Sequence, residues 1–263
     1  MRLDAYLTEK KLAKSRERAK ALIKSGGVLV NGKPVSKHSA EISDNDRLDV
    51  VGEDIKYVGR GGLKLEKAIE VFGISVQGKR CIDFGASTGG FIDCMLRNGA
   101  ERVYAVDVGH DQLDSSLVND PCVVNMEGTN IKNVSSEDFG EKADFLSCDV
   151  SFISLKLIIP KIAEVLSEKG EAAVLVKPQF ECGRSDIGKN GIVRSEKVHI
   201  RVLREIQAAF DSRGMTADML DYSPVCGGDG NIEYLVHAVH KSMGPPIRYS
   251  PEETVKKAFG ILK

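Results

Sequence analysis

Two rhythms of apolar residues divide the chain. From Cys81 onward, short unbroken apolar runs that stop on glycine, asparagine or a charged residue alternate with segments whose apolar positions return every three or four residues. Runs of the first kind read as buried strands, and segments of the second kind as helices packed on them. Strands are predicted over 81–84, 102–107, 121–125, 143–150, 172–177, 216–222 and 231–238, and helices over 91–97, 155–166 and 198–210. That alternation predicts a doubly wound α/β sheet. Just ahead of it, Leu65, Ala68, Ile69 and Phe72 share one helical face over 63–72, and Gly73 supplies the stop.

The first fifty residues follow another plan. A short helix over 2–12 carries Leu3, Tyr6 and Leu7 on one side, and Ser15 caps a second helix with Ala19, Leu22 and Ile23 at i, i+3 and i+4. Gly26 and Gly27 end it. Val28 to Val35 then splits into two strand halves around Asn31-Gly32, a strong hairpin signal, and 47–51 adds a strand. At the far end, Ser250-Pro251-Glu252-Glu253 is a capping box opening a helix with Val255, Ala258 and Phe259. The expected division is a small domain over 1–51, a glycine-hinged linker over 52–62, a large domain over 63–245 and a helical tail over 246–263.

Charge changes this picture at one end only. The formal charge of the whole chain is −1, yet Met1 to Ala40 holds ten basic residues against three acidic ones. Arg16, Lys20 and Lys24 recur every fourth residue as a ridge beside the apolar stripe, which suits a polyanion. No apolar run approaches the ~18 residues of a membrane span, and the N-terminus lacks the apolar core of a signal peptide. The six cysteines (Cys81, Cys94, Cys122, Cys148, Cys182, Cys226) form no C-x-x-C pair. Free thiols in a reducing cytoplasm are expected, and no metal site. His237 and His240 are three apart on a predicted strand, so they point to opposite faces.

The candidate chemistry centres on the first βα turn, Asp83-Phe84-Gly85-Ala86-Ser87-Thr88-Gly89-Gly90-Phe91. It resembles a dinucleotide fingerprint, but Ser87 stands where a glycine would let backbone approach a pyrophosphate, and no Walker lysine follows. Asp107 ends the second strand about 20 residues on, the spacing at which a carboxylate meets ribose hydroxyls. A nucleoside cofactor without a pyrophosphate fits best, and S-adenosylmethionine is the common one. Asp83 and the turn would lie at its amino-acid end and Asp107 at its ribose, while the 126–130 segment with Glu127 could line the adenine. Asp149 and Lys177 end neighbouring apolar strands on the same rim. Lys64 sits in a first helical turn, where a cation is disfavoured, which hints at a function. Glu233 lies near the start of the last strand. The 179–194 loop is longer than ordinary connections and carries Arg184, Lys189 and Arg194.

RERAKALIKSGGVLVNGKPV resembles an S4-like RNA-binding domain. That segment together with VGRGGLKL, CIDFGASTGGF, CDVSFISL, LVKPQFE and SPVCGGDGNIEYL resembles, end to end, the TlyA family of FtsJ-like ribosomal RNA 2′-O-methyltransferases. The resemblance implies a Rossmann-like class I methyltransferase with a seven-stranded, mostly parallel sheet, fused to a small α+β S4-like domain. It implies S-adenosylmethionine, bound by Asp83, Gly85, Ala86, Ser87, Thr88, Gly89, Gly90, Phe91, Asp107, Glu127 and Asp149. It also implies a Lys-Asp-Lys-Glu tetrad, which falls on Lys64, Asp149, Lys177 and Glu233, with Lys67 as a rival for the first lysine. Lys177 would be the base that takes a ribose proton, with Lys64 as the neighbouring cation. Ribosomal RNA would be gripped by Arg16, Arg18, Lys20, Lys24, Lys33, Arg60, Arg184, Lys189 and Arg194. Family members have often been labelled haemolysins, so a membrane-lytic protein is one alternative. A non-catalytic assembly factor and a base methyltransferase are the others.

Overall fold

The computed structural model describes the chain except residues 14, 25–26, 36, 44–45, 51–55, 228–229, 243–248 and 263; of residues 17, 18, 21, 24, 33 and 34 only the backbone is described. The chain divides into two compact units, 1–56 and 57–263.

In the first unit, α1 (Leu3–Glu9) and α2 (Arg16–Lys24) precede a three-stranded antiparallel sheet of β1 (Val28–Val30), β2 (Lys33–Pro34) and β3 (Leu48–Val50), ordered β2-β1-β3. Leu3, Leu7, Ala19, Leu22, Ile23, Val28 and Ile42 form its core, so the apolar stripe of α2 is the inner face. Asn31 and Gly32 both take positive φ (53° and 76°), the pair a type I′ hairpin turn requires. Asp4 is fully buried, and Arg2 holds its carboxylate through two hydrogen bonds of 2.9 and 3.0 Å. The guanidinium draws that carboxyl down to about 2.

The second unit opens on α3 (Gly61–Phe72), followed by β4 (Arg80–Phe84), α4 (Gly90–Arg97), β5 (Arg102–Val106), α5 (Ser115–Val118), β6 (Val123–Met126) and β7 (Ala143–Cys148). It continues through α6 (Ile159–Val165), β8 (Leu166–Val176), α7 (Pro178–Glu181), α8 (Glu196–Asp211), β9 (Met215–Tyr222), β10 (Tyr234–His240) and α9 (Pro251–Leu262). The sheet order is β6-β5-β4-β7-β8-β10-β9. The pairs from β6 across to β8 are parallel, and β10 runs antiparallel to both its neighbours. Order reverses between β5 and β7 on either side of β4, which makes the carboxyl end of β4 the crevice where ligands of such sheets lie.

Three departures from the sequence reading have local causes. The predicted linker ends early, because Gly61 and Gly62 form the first turn of α3. A Cβ on Gly62 would meet the Tyr57 ring at 2.2 Å, so the glycine is there for packing more than for flexibility. The predicted long loop over 179–194 is short α7 followed by two 3₁₀ turns, Arg184–Asp186 and Lys189–Gly191. Asn231 pins it by accepting from the Val193 amide and donating to the Gly191 carbonyl, each at 3.0 Å. The final strand begins at Tyr234 and not at 231. His237 on that strand is buried between Asp218 (2.7 Å) and Glu171 (2.9 Å), and these carboxylates overcome burial to raise it to about 9. All six cysteines are free thiols, and Cys81, Cys94 and Cys148 are buried.

Candidate active site

Backbone pairing brings four distant residues to one rim. Phe84 pairs with Cys148, so the next residues, Gly85 and Asp149, lie side by side just beyond the strands. Gly85 has φ +88°, and a Cβ there would meet the Asp149 carbonyl oxygen at 2.5 Å. Only glycine lets the turn leave β4 this close to β7. Tyr234 pairs with Val176, which sets Glu233 opposite Lys177. Lys64 arrives from α3, whose first turn is seated on the glycine turn: a Cβ on Gly90 would stand 2.9 Å from the Gly62 amide nitrogen.

The four side chains form a chain of alternating charge. Glu233 Oε2 accepts from Lys64 Nζ at 2.7 Å, Lys64 Nζ reaches Asp149 Oδ2 at 3.4 Å, and Asp149 Oδ1 lies 2.6 Å from Lys177 Nζ. The hydrogen bond of Lys177 Nζ goes to Ser151 Oγ at 2.8 Å. Lys64 and Lys177 are 9% and 8% exposed and Glu233 only 2%, so none of the three is an ordinary solvated charge. Burial works against the Lys64 ammonium, but Asp149 and Glu233 outweigh it and hold Lys64 above its usual value. Lys67, the rival lysine, is engaged elsewhere: it donates to the Tyr222 carbonyl at 2.6 Å and pairs with Asp221 at 3.1 Å.

The tetrad opens into a cavity of about 400 Å³ lined also by Arg60, Asp83, the turn residues Gly85 to Thr88, Gly90 and Phe91. A second cavity of about 420 Å³ adjoins it, lined by Asp107, Val108, Asn130 and Ile131. Gly85, Ser87, Asp149, Ser151 and Phe152 line both, so the two are chambers of one cleft. On the floor of the first, Asp83 is 1% exposed. Its Oδ1 accepts from Ser147 Oγ at 2.7 Å, while Oδ2 is buried with no hydrogen-bond partner among the described residues. Burial, with Asp149 and Asp107 adding to it, raises this carboxyl to about 7 against the opposing pull of Ser147. An unpartnered buried acceptor in a cleft is the mark of a site shaped for a donor it does not itself contain. Asp107 accepts from the amides of Ser87 and Gly109, both at 2.8 Å, and lines the second chamber.

The structure does not gather every predicted residue. Glu127 lies outside the lining of both chambers. Its Oε1 accepts from the Gln112 and Leu113 amides (2.7 and 3.0 Å) and its Oε2 from Asn125 at 3.0 Å, so it holds the 112–113 backbone in place. The expectation that the 126–130 segment lines the cofactor rests on its place after the third strand, and within that segment Asn130 is the residue that lines the chamber. Gly89 also lies outside the lining, under Leu117. Arg184, Lys189 and Arg194 are exposed on the segment after α7 and line neither chamber. In the first unit, Arg16 is exposed on α2 and Lys20 is half-buried, whereas the side chains of Arg18, Lys24 and Lys33 lie outside the described residues. Conversely, the sequence reading missed Ser151, Phe152, Gln179 and Phe180, all of which line the first chamber. Phe152 is 91% exposed at φ +63°, and its ring lies 5.0 Å from that of Phe180. Their places immediately after Asp149 and Lys177, on the carboxyl rim, were the available signal.

The strand order, the glycine turn and the acid ending β5 together define a Rossmann-like methyltransferase. The chain belongs to the FtsJ-like methyltransferase family, whose model matches residues 57–240, and an S4 domain model matches residues 1–48. It is 45% identical to the "Putative rRNA methyltransferase YqxC" of Bacillus subtilis, over 97% of this chain and 92% of that one. It is 39% identical to the "16S/23S rRNA (cytidine-2'-O)-methyltransferase TlyA" of Mycobacterium tuberculosis, over 89% of this chain and 88% of that one. Among solved structures, the "Putative hemolysin from Streptococcus thermophilus" is 45% identical with a TM-score of 0.79, covering 99% of this chain and 96% of that one. Among the described residues, no helix is long and apolar enough to cross a membrane.

Proposed function

We propose that the protein transfers a methyl group from S-adenosylmethionine to the 2′-hydroxyl of cytidine ribose in ribosomal RNA of the small subunit, the large subunit or both, in the cytoplasm. The observation that carries this reading is the charge-alternating run Glu233, Lys64, Asp149, Lys177 lining a two-chambered cleft. Relatives named for cytidine-2′-O-methylation support the substrate, and the S4 match supports an RNA partner. Arg16, Arg18, Lys20, Lys24 and Lys33 in the first unit would grip phosphates, as would Arg60, Arg184, Lys189 and Arg194 in the second. Such contacts give salt-sensitive affinity more than sequence discrimination.

The residues fit the cofactor. Asp83 Oδ2 offers a buried acceptor suited to the ammonium of an amino acid, Gly85 to Phe91 form the turn beside it, and Asp107 and Asn130 line the chamber for a nucleoside. When bound, S-adenosylmethionine supplies a methyl on a positively charged sulfur. Lys177 takes the proton of the ribose 2′-hydroxyl, for which it must present a lone pair. Lys64 stays an ammonium and shares the Asp149 carboxylate with Lys177. Glu233 fixes Lys64 in place, and the exposed ring of Phe152 beside Phe180 offers a face on which a base stacks.

The raised Asp83 gives a pH signature. Only the carboxylate pairs with an ammonium, and this carboxyl ionises at about 7. Calorimetric titration with S-adenosylhomocysteine should therefore show affinity rising through neutral pH and levelling above it. Below pH 7 the loss approaches about tenfold per unit. Asp83→Asn should bind weakly at every pH; an unchanged pH profile in that variant would remove Asp83 from the cofactor.

The deciding experiment for the function is tritiated methyl transfer to ribosomal subunits lacking the mark, followed by mapping to sugar or base. Label on the 2′-oxygen of a cytidine is expected. Label on a base, or no transfer to either subunit, overturns the proposal.

A further inference from the structure

Resting on the reading of Lys177 as the base, we propose that Ser151 is a positioning residue that aims the lone pair of Lys177 at the ribose hydroxyl. An amine nitrogen has three tetrahedral positions besides its carbon. Lys177 Nζ donates along one of them to Ser151 Oγ at 2.8 Å, while Asp149 Oδ1 lies 2.6 Å away as an ion-pair contact without hydrogen-bond geometry. Lys177, Asp149 and Ser151 all line the tetrad chamber. In the neutral amine one N–H stays on Ser151, the Asp149 carboxylate repels the lone pair, and the lone pair is left to face the substrate hydroxyl. The ribose O–H then breaks, its electron pair remains on the oxygen that receives the methyl, and the proton becomes the third N–H of an ammonium.

Without Ser151 no hydrogen-bond acceptor orients the amine, and its N–H bonds and lone pair exchange by rotation about Cε–Nζ. Asp149 alone fixes a distance, whereas Asp149 and Ser151 together fix a direction. Two further facts fit this role. Ser151 is exposed, so its hydroxyl could have bonded to water and is not needed to satisfy the core. The next residue, Phe152, holds φ +63°, an unfavourable conformation for a bulky L-residue, as where the chain is bent to serve a site.

The test compares Ser151→Ala, Ser151→Thr and Lys177→Ala in methyl transfer to ribosomal subunits, with KM, cofactor affinity and Tm measured for each. Ser151→Ala should lower kcat about tenfold while KM, cofactor affinity and Tm stay near those of the parent protein. Ser151→Thr, which keeps the hydroxyl, should restore most of the rate. Full kcat in Ser151→Ala beside an inactive Lys177→Ala overturns the role of Ser151 and leaves the base reading intact. So does a loss confined to KM or Tm, or a failure of threonine to rescue. An active Lys177→Ala instead overturns the base reading itself.

Discussion

Replacing Lys177 by alanine should lower the rate of methyl transfer by about 10³-fold or more, the scale of a lost general base, while affinity for cofactor and RNA stays near that of the parent protein. The geometry explains why the loss should be selective. Asp149 keeps Lys64 at 3.4 Å when Lys177 is gone, so the substitution leaves no carboxylate wholly unpaired. The stability cost should be about 1–2 kcal/mol, small enough for the fold to survive. Single-turnover transfer, calorimetry with S-adenosylhomocysteine and RNA filter binding separate the three quantities. Equal losses in all of them would mean that Lys177 is structural. Lys177→Arg sharpens the test: a guanidinium keeps the positive charge beside Asp149 but does not give up its proton. An active arginine variant would therefore make the role electrostatic and not basic.

That selectivity depends on positions visible in the sequence to different degrees. Asp149 and Lys177 were legible because each ends an apolar run, and the carboxyl rim of a parallel sheet is where such residues meet. The partnership of Lys64 and Glu233 was not legible from periodicity. It depends on α3 seating its first turn on Gly90 and on the antiparallel register of β10 against β8, both tertiary facts; the motif resemblance, not the pattern, pointed to them. Glu127 shows the opposite failure. Its place after the third strand is compatible with an adenine contact, but its carboxylate is committed to the 112–113 amides, and no one-dimensional pattern reports which way a side chain turns. Ser151 and Phe152 escaped notice for a related reason, since their placement follows from a positive φ at a non-glycine residue.

The Glu233–Lys64 pair separates stability from activity. Glu233→Leu removes the acceptor at 2.7 Å from an ammonium only 9% exposed, leaving Asp149 at 3.4 Å as its remaining partner. Breaking a buried pair by deleting one member typically costs about 3–5 kcal/mol, and the residual Asp149 contact puts this case near the lower end, about 3 kcal/mol in urea denaturation. Because Lys64 is held above its ordinary value of 10.5, the pair's contribution is fully present at neutral pH and fades only as pH rises through that elevated value. Adding Lys64→Met should recover most of the loss, since a well-packed apolar pair often equals a buried ion pair in stability. The double variant should nonetheless remain inactive, because the charge that shares Asp149 with Lys177 has gone. A double variant that loses less stability than the two single variants together, with no return of methyl transfer, is the expected outcome of the double-mutant cycle. Full activity in the double variant would show that Lys177 needs no neighbouring cation, and the chain of alternating charge would then belong to the fold and not to the chemistry.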